Sequence, residues 1–301
     1  MQSKNHYVEL PILKEKQVTL AIKREDLLHS FISGNKYRKL KYNLKEAAQQ
    51  QQHTLLTFGG AYSNHIAALA YAGKEKGFKT IGLIRGEELK DKWQENPTLS
   101  FAHKHGMSFE FISRAAYRNK TSTAFLRELQ QRHGLFYLVP EGGTNPLAIK
   151  GCEEILNEAD KVFDTICTCV GTGGTMAGLI NASGLNQQVL GFSALKGDFL
   201  NAEVSGLTYK KNWSLVTAYH FGGYGKVMAE LIHFMNTFKQ TTGIPLDPIY
   251  TGKMLYGLLD MIRNDNFAKG SQIVAIHTGG LQGIAGMNMK LKKKNLPLLQ
   301  I

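Results

Sequence analysis

The sequence predicts an α/β fold with mainly parallel strands and helices on both sheet faces. Three features predict it. Short apolar runs of strand length alternate with segments of helical period through almost all of the 301 residues. Glycine pairs or clusters close several of these runs, at Gly59-Gly60, Gly142-Gly143, Gly171 to Gly174 and Gly279-Gly280. Hydrophobic residues make up 43% of the chain, enough for a large core in one or two domains.

The elements follow in order. A strand ends in Ile22-Lys23-Arg24-Glu25-Asp26, and a helix opens behind Ser33-Gly34-Asn35-Lys36 and runs through Leu40, Leu44 and Ala47. The run 54–58 reads as a strand and 63–76 as a helix, with Ile66, Leu69 and Ala70 on one face. Strands at 80–84, 107–112 and 135–139 are separated by helices at 97–105 and 123–132. A helix at 146–159 leads to a strand at 165–170, a helix at 175–181 and a strand at 189–193. Helices at 225–238 and 252–263 precede a strand at 272–276 and a last helix at 281–292. Such alternation gives a mainly parallel sheet, whose ligands sit beyond the C-terminal strand ends. The glycine turns fall there.

Composition excludes several classes of function. The only cysteines are Cys152, Cys167 and Cys169, a sparse count without framework spacing, as in a reducing, cytoplasmic compartment. Cys167 and Cys169 share one face of an apolar strand and read as small hydrophobes; no histidine or second cysteine pair is spaced for a metal. The net charge of +12 is spread along the chain, without finger or aromatic-basic motifs, so no nucleic-acid partner is expected. No stretch approaches the roughly 20 apolar residues that span a bilayer, so no membrane partner is expected either.

The chemistry centres on Lys36. A lysine behind a Gly-Asn turn lies at a helix N-terminus, where the dipole disfavours its ammonium form, and Arg38 and Lys39 add like charge. A lysine of lowered pKa is the kind that condenses with carbonyls. The same cluster, with Lys41 and Lys45, also describes a solvated helix face. A second feature is the run Val170-Gly171-Thr172-Gly173-Gly174-Thr175, between a buried strand and a helix. Glycines let backbone N–H groups approach a ligand, and the helix start completes an anion site. The spacing matches neither a dinucleotide fingerprint nor a P-loop, and no acidic residue closes the next strand at Gly191-Phe192-Ser193. A small phosphate monoester fits better than a nucleotide; a plain tight turn is the other reading.

Five ordered motifs now resemble a known family: S-G-N-K-Y-R-K-L from Ser33, G-G-A-Y-S-N-H from Gly59, G-T-G-G-T from Gly171, L-D-P-I-Y-T-G-K from Leu246 and I-H-T-G-G from Ile276. Together they are similar to the fold type II pyridoxal-phosphate enzymes, in the branch of D-cysteine desulfhydrase and 1-aminocyclopropane-1-carboxylate deaminase. The resemblance implies a tryptophan synthase beta-like fold of two open, twisted, mainly parallel sheets flanked by helices. It implies a large cofactor-binding domain at 1–42 and 146–301 and a small domain at 43–145. It implies pyridoxal 5′-phosphate as cofactor, an amino acid as substrate and a homodimer.

The implied roles are these. Lys36 carries the cofactor, the loop Gly171, Thr172, Gly173, Gly174 and Thr175 holds its phosphate, and Lys39 is the cationic partner. Asn64 bonds the ring's 3′ oxygen, and Thr251 and Thr278 lie near the pyridine nitrogen. Ser63, Asn64 and His65 face the substrate, and Tyr224 and Tyr250 join Lys36 and Ser63 in the catalytic set. Without the resemblance, Ser63-Asn64 reads equally as a helix cap, and Tyr250 and His65 as satisfied core residues.

Two positions bear on the reaction. The deaminase branch resembles Y-E-G-K followed by H-L-G-G, the desulfhydrase branch Y-T-G-K followed by H-T-G-G; this chain has Thr251 and Thr278 there. A carboxylate beside the pyridine nitrogen keeps it protonated and the ring a deep electron sink, whereas a hydroxyl does so less. The shallower sink suits β-elimination of a thiolate. The expected activity is D-cysteine desulfhydrase-like, giving pyruvate, ammonia and sulfide. The alternatives are the ring-opening deaminase and, in another class, a non-catalytic phosphate-ligand-binding protein. Tyr62 stands where the family usually has Gln, and Gly197 to Tyr209 has no recognisable counterpart.

Overall fold

A computed structural model describes residues 1–300. The chain opens with β1 (Asn5–Tyr7), α1 (Pro11–Lys16), β2 (Thr19–Lys23) and α2 (Asn35–Gln49). Next come β3 (Thr54–Gly59), α3 (Asn64–Lys76), β4 (Lys79–Arg85), α4 (Pro97–Lys104), β5 (Met107–Ile112), α5 (Arg114–Arg118), α6 (Thr123–His133) and β6 (Tyr137–Val139). Then follow α7 (Pro146–Glu153), β7 (Thr165–Val170), α8 (Gly174–Ala182), β8 (Gln188–Ser193), α9 (Phe199–Ser205) and β9 (Trp213–Val216). The chain closes with α10 (Ala229–Thr242), α11 (Thr251–Arg263), β10 (Gln272–Ile276) and α12 (Gly283–Lys293).

Two sheets result. One has the order β1-β2-β10-β7-β8-β9, the other β5-β4-β3-β6. Every pairing is parallel except that of β1 with β2. Helices cover both faces of each sheet, as the alternation predicts. In β7 all six residues are buried. Its Cys167 and Cys169 pack with residues of α10, α11 and α12, while Ile166 and Val170 pack with residues of α8 and α9. In the smaller sheet Leu55 and Ile84 join residues of α3 and α4, and Leu56 and Leu83 join residues of α5 and α6.

Where the elements depart from expectation, local chemistry explains it. The helix expected from residue 225 begins at Ala229, because Phe221, Gly222, Gly223 and Gly225 all have positive φ. The helix expected through residue 159 stops at Glu153; Asn157 caps a separate short turn, Glu158–Asp160, with its own capping box. The last strand of the smaller sheet starts at Tyr137, two residues late, and the last helix at Gly283. The short elements β1, α1, α5, α9 and β9 have no counterpart in the sequence reading. Helix α2 runs unbroken through residues 42 and 43. Among the described residues no helix is long and apolar enough to cross a membrane.

Two glycines set the helix spacing that the site depends on. At Gly151 of α7 a Cβ would lie 2.0 Å from the Arg38 carbonyl oxygen of α2. At Gly178 of α8 a Cβ would lie 2.5 Å from Cβ of Cys152 in α7. Helices α2, α7 and α8 therefore pack in close succession, which brings Lys36 and Lys39 of α2 to the start of α8.

Candidate active site

The site forms where the C-terminal ends of β3, β6, β7 and β10 meet the start of α2. Gly34 has φ +53°, and a Cβ there would lie 2.0 Å from the Thr278 carbonyl oxygen. Only glycine allows this approach, which lets Asn35 N–H donate to that oxygen at 3.2 Å. Gly280 N–H donates in turn to Ser33 Oγ at 3.0 Å. The helix that carries Lys36 is thus fastened to the loop after β10. Asn35 Nδ2 donates to Thr175 Oγ1 at 2.8 Å, tying the same turn to α8.

Lys36 lines the cleft and donates to Asn35 Oδ1 at 3.3 Å. Its pKa is lowered, chiefly because the ammonium is taken out of water, with the Asp247 carboxylate among the opposing influences. The sequence reading expected part of this shift from the charge of Arg38. Instead Arg38 makes a buried two-point ion pair with Glu25, both contacts at 2.8 Å.

Lys39 is buried and faces no carboxylate. Its ammonium donates to Thr144 Oγ1 at 2.9 Å, to the Gly142 carbonyl at 3.2 Å and to Thr172 Oγ1 at 3.4 Å. Burial, then the charge of Lys36, pushes its pKa down to about 7. Beside it lies the glycine run. Gly173 has φ +78° and precedes α8 without any side-chain cap, so no side chain satisfies the first N–H groups of that helix. An uncapped helix start and an unpaired buried ammonium around the same glycines are an incomplete pair of charges. A phosphoryl dianion completes both. Gly171, Thr172, Gly173 and Thr175 all line the cleft, and these residues fit the phosphate of a pyridoxal cofactor.

The opposite wall is the start of α3. Ser63 is its N-cap, with Oγ accepting from Ile66 N–H at 3.4 Å. Asn64 lines the cleft, close against Gly280. The His65 imidazole, expected to face the substrate, is turned inward and buried. Its Nε2 lies 2.8 Å from Thr57 Oγ1, which itself donates to the Val139 carbonyl at 2.7 Å. The one hydroxyl proton of Thr57 is committed, so His65 Nε2 carries the hydrogen and Nδ1 is left without a partner. Burial and the two lysines hold the ring far below the usual imidazole range, in its neutral form.

Tyr250 forms the N-cap position of α11, and a Cβ at Gly171 would sit 3.1 Å from its ring. Burial pushes its phenol well above the usual tyrosine range. Tyr224, 48% exposed, stands edge-on to it with ring centroids 6.1 Å apart. The two threonines separate. Thr278 lines the cleft, its Oγ1 3.0 Å from Cys169 Sγ. Thr251 does not: its hydroxyl donates to Asp247 Oδ2 at 2.9 Å and accepts from Asp247 N–H at 2.8 Å. Asp247 also accepts from the N–H groups of Ile249, Tyr250 and Thr251 at 2.8–2.9 Å, and so caps α11.

Sequence reasoning missed Cys169 and Asp247. Cys169 reads as a strand hydrophobe, although it directly precedes Val170 and the glycine run. Asp247, before Pro248, reads as a turn residue, and Tyr250 rather than Asp247 holds the position directly before the helix.

A family model described as "Pyridoxal-phosphate dependent enzyme" matches residues 3–279. A putative 1-aminocyclopropane-1-carboxylate deaminase of Pyrococcus abyssi is 31% identical over 91% of this chain and 88% of its own. The bifunctional D-cysteine desulfhydrase/1-aminocyclopropane-1-carboxylate deaminase, mitochondrial, of Arabidopsis thaliana is 33% identical over 88% of this chain and 73% of its own. Among solved structures, one titled as the ACC deaminase homologue superposes with a TM-score of 0.82 at 28% identity, covering 97% of this chain and 94% of that one. Matching the model over nearly its whole length, and with a nest and a buried lysine that suit the cofactor, the chain is a pyridoxal-phosphate dependent enzyme of fold type II, in the branch of the 1-aminocyclopropane-1-carboxylate deaminases and D-cysteine desulfhydrases.

Proposed function

We propose that the chain catalyses β-elimination on a small β-substituted amino acid, as a D-cysteine desulfhydrase does, releasing pyruvate, ammonia and sulfide. The observation that carries this reading is the cleft wall at Thr278. A hydroxyl and the Cys169 thiol stand there, and among the described residues no carboxylate lines the cleft. Bound pyridoxal phosphate supplies an electron sink for a carbanion beside the amino nitrogen; a neutral wall makes that sink shallow, which is sufficient when the leaving group is a thiolate.

The protein's residues do the rest. Lys36 Nζ, kept toward its neutral form by burial, takes the Cα proton. The hydroxyl of Ser63, the side chain of Asn64 and the α3 N-terminus receive the substrate carboxylate. Tyr250 keeps its phenolic proton and can give it to the departing sulfur, with Tyr224 shielding the step from solvent. Lys39 and the 171–175 nest hold the phosphoryl group. We read residues 1–42 and 146–301 as the large domain and 43–145 as the small one. The protein acts as a homodimer in the cytoplasm on this reading.

The ring-opening deaminase is the second reading, favoured by the names of relatives such as that of Pyrococcus abyssi. Parallel assays separate the two: sulfide from D- and L-cysteine, and 2-oxobutanoate from the cyclopropane amino acid. Lys36→Ala should lose both the visible absorbance of the bound cofactor and turnover. Retention of both removes Lys36 from the chemistry, and 2-oxobutanoate without sulfide selects the deaminase.

A further inference from the structure

The segment between β9 and α10 carries Tyr224 but has no regular structure to hold it. Phe221, Gly222, Gly223 and Gly225 all have positive φ, so neither helix nor strand can form there. What holds it is one face of α11. Lys253, Tyr256, Gly257 and Asp260 fall at i, i+3, i+4 and i+7 and all engage the segment. Tyr256 packs edge-on to Phe221 with centroids 5.0 Å apart. Asp260 accepts from Tyr219 Oη at 2.8 Å, and Gly257 leaves room for the Tyr219 ring, which a Cβ would meet at 2.6 Å.

Lys253 is the unusual member of this face. It is 2% exposed, and its ammonium donates to two backbone carbonyls, those of His220 and Gly223, both at 2.8 Å. It forms no ion pair among the described residues. An ammonium buried with no carboxylate in contact is costly, and here only its two bonds to the turn offset that cost; methionine, one atom shorter, can make neither. The two carbonyls are the ends of the turn that precedes Tyr224: Gly223 N–H returns to the His220 carbonyl at 3.0 Å, and Lys226 N–H to the Gly223 carbonyl at 3.2 Å. Burial lowers the pKa of Lys253 to about 8, so it is still charged at neutral pH.

We propose that Lys253 is a positioning residue for the reaction: its ammonium ties the 220–223 turn to α11 so that Tyr224 stands against Tyr250 at the cleft. The N-terminal end of one helix then places both tyrosines, Tyr250 directly and Tyr224 through Lys253. This role rests on the catalytic reading of the site, but the contact can be tested without it. Hydrogen exchange on the holoenzyme follows the amides of Gly222, Gly223 and Lys226, each bonded within the turn.

In Lys253→Met these three amides should exchange at least about ten-fold faster, consistent with losing a charge-assisted bond, while the amides of α8 and the cofactor absorbance stay as in the parent. Turnover of the substrate found for the parent should fall about as far as in Tyr224→Ala, and Lys253→Met added to Tyr224→Ala should cost little more. Unchanged exchange in the turn, equal acceleration in α8, or fully additive turnover losses overturn the proposal. Should Lys253→Met not fold, the parent holoenzyme decides. The turn amides must then be as protected as those of the first turn of α11, and free exchange in the turn alone refutes the clamp. Absence of turnover on any amino acid would remove the catalytic reading and leave the exchange result standing.

Discussion

Two helices begin at the cleft from opposite walls, and they begin differently. Helix α3 starts in the ordinary way, with Ser63 at φ −74° and its hydroxyl accepting an N–H of the first turn. Helix α8 starts at Gly173, at φ +78°, with no side chain to do so. The first helix is complete by itself and has a hydroxyl and a weak dipole to offer a passing carboxylate. The second is complete only when an anion occupies its end, and Lys39 makes the same demand from the side. On the proposed reading, the wall that must release product is built from satisfied groups, and the wall that keeps its ligand from unsatisfied ones.

The largest way to break this contrast is to give α8 an anion of its own. Gly173→Asp should abolish retention of the cofactor, since a carboxylate at that end competes with the phosphoryl group and repels it. Visible absorbance after gel filtration reports this, and a variant that stays coloured shows that the phosphate is held elsewhere. Next in size is Lys39→Met, which should weaken binding of inorganic phosphate to the cofactor-free protein by about 10–100-fold, the usual value of a bond to a charged group.

The pH dependence sharpens the same point. The Lys39 pKa of about 7 is that of the cofactor-free site. An anion favours the charged form and raises it, so binding takes up a proton above that pH. Affinity for sulfate, whose charge is fixed over this range, should therefore fall in the parent as pH rises above about 7, and titration calorimetry should find a shallower fall in Lys39→Met. The smallest effect belongs to the other wall. Ser63→Ala removes the α3 cap at a cost of about 1 kcal/mol, lowering the melting temperature by a few degrees. It should raise the KM for the amino acid and leave the cofactor in place. Loss of the cofactor there would erase the distinction between the walls.

Much of this was legible in the sequence because the relevant signals are local. The bounds of β5, β7 and β10 coincide with the runs that predict them: β7 and β10 are interior parallel strands that read as near-continuous apolar stretches, and β5 is an edge strand that reads as an alternation. The glycine run and the Ser63 cap are also local signals. What stayed hidden depends on which partner each side chain chooses once the chain is folded. His65 looks free at a helix start until Thr57 and Val139 are placed behind it. Arg38 looks like a charge on Lys36 until Glu25 claims it. Thr251 looks equivalent to Thr278 until Asp247 is seen to occupy both of its hydrogen-bonding directions. The expected helix starts four residues too early, at Gly225, because a glycine carries no signal of the backbone sign that it adopts.

The shelf under Lys36 has a consequence for biosynthesis. The lysine leaves the ribosome long before the strand end that anchors it, at Thr278. That strand is also an interior one, flanked by β2 and β7, so a nascent chain that still lacks it has neither a joined sheet nor a seat for the amine. Cofactor loading must wait until β10 has been made and has paired, so absorbance of bound cofactor would report a chain whose larger sheet is joined.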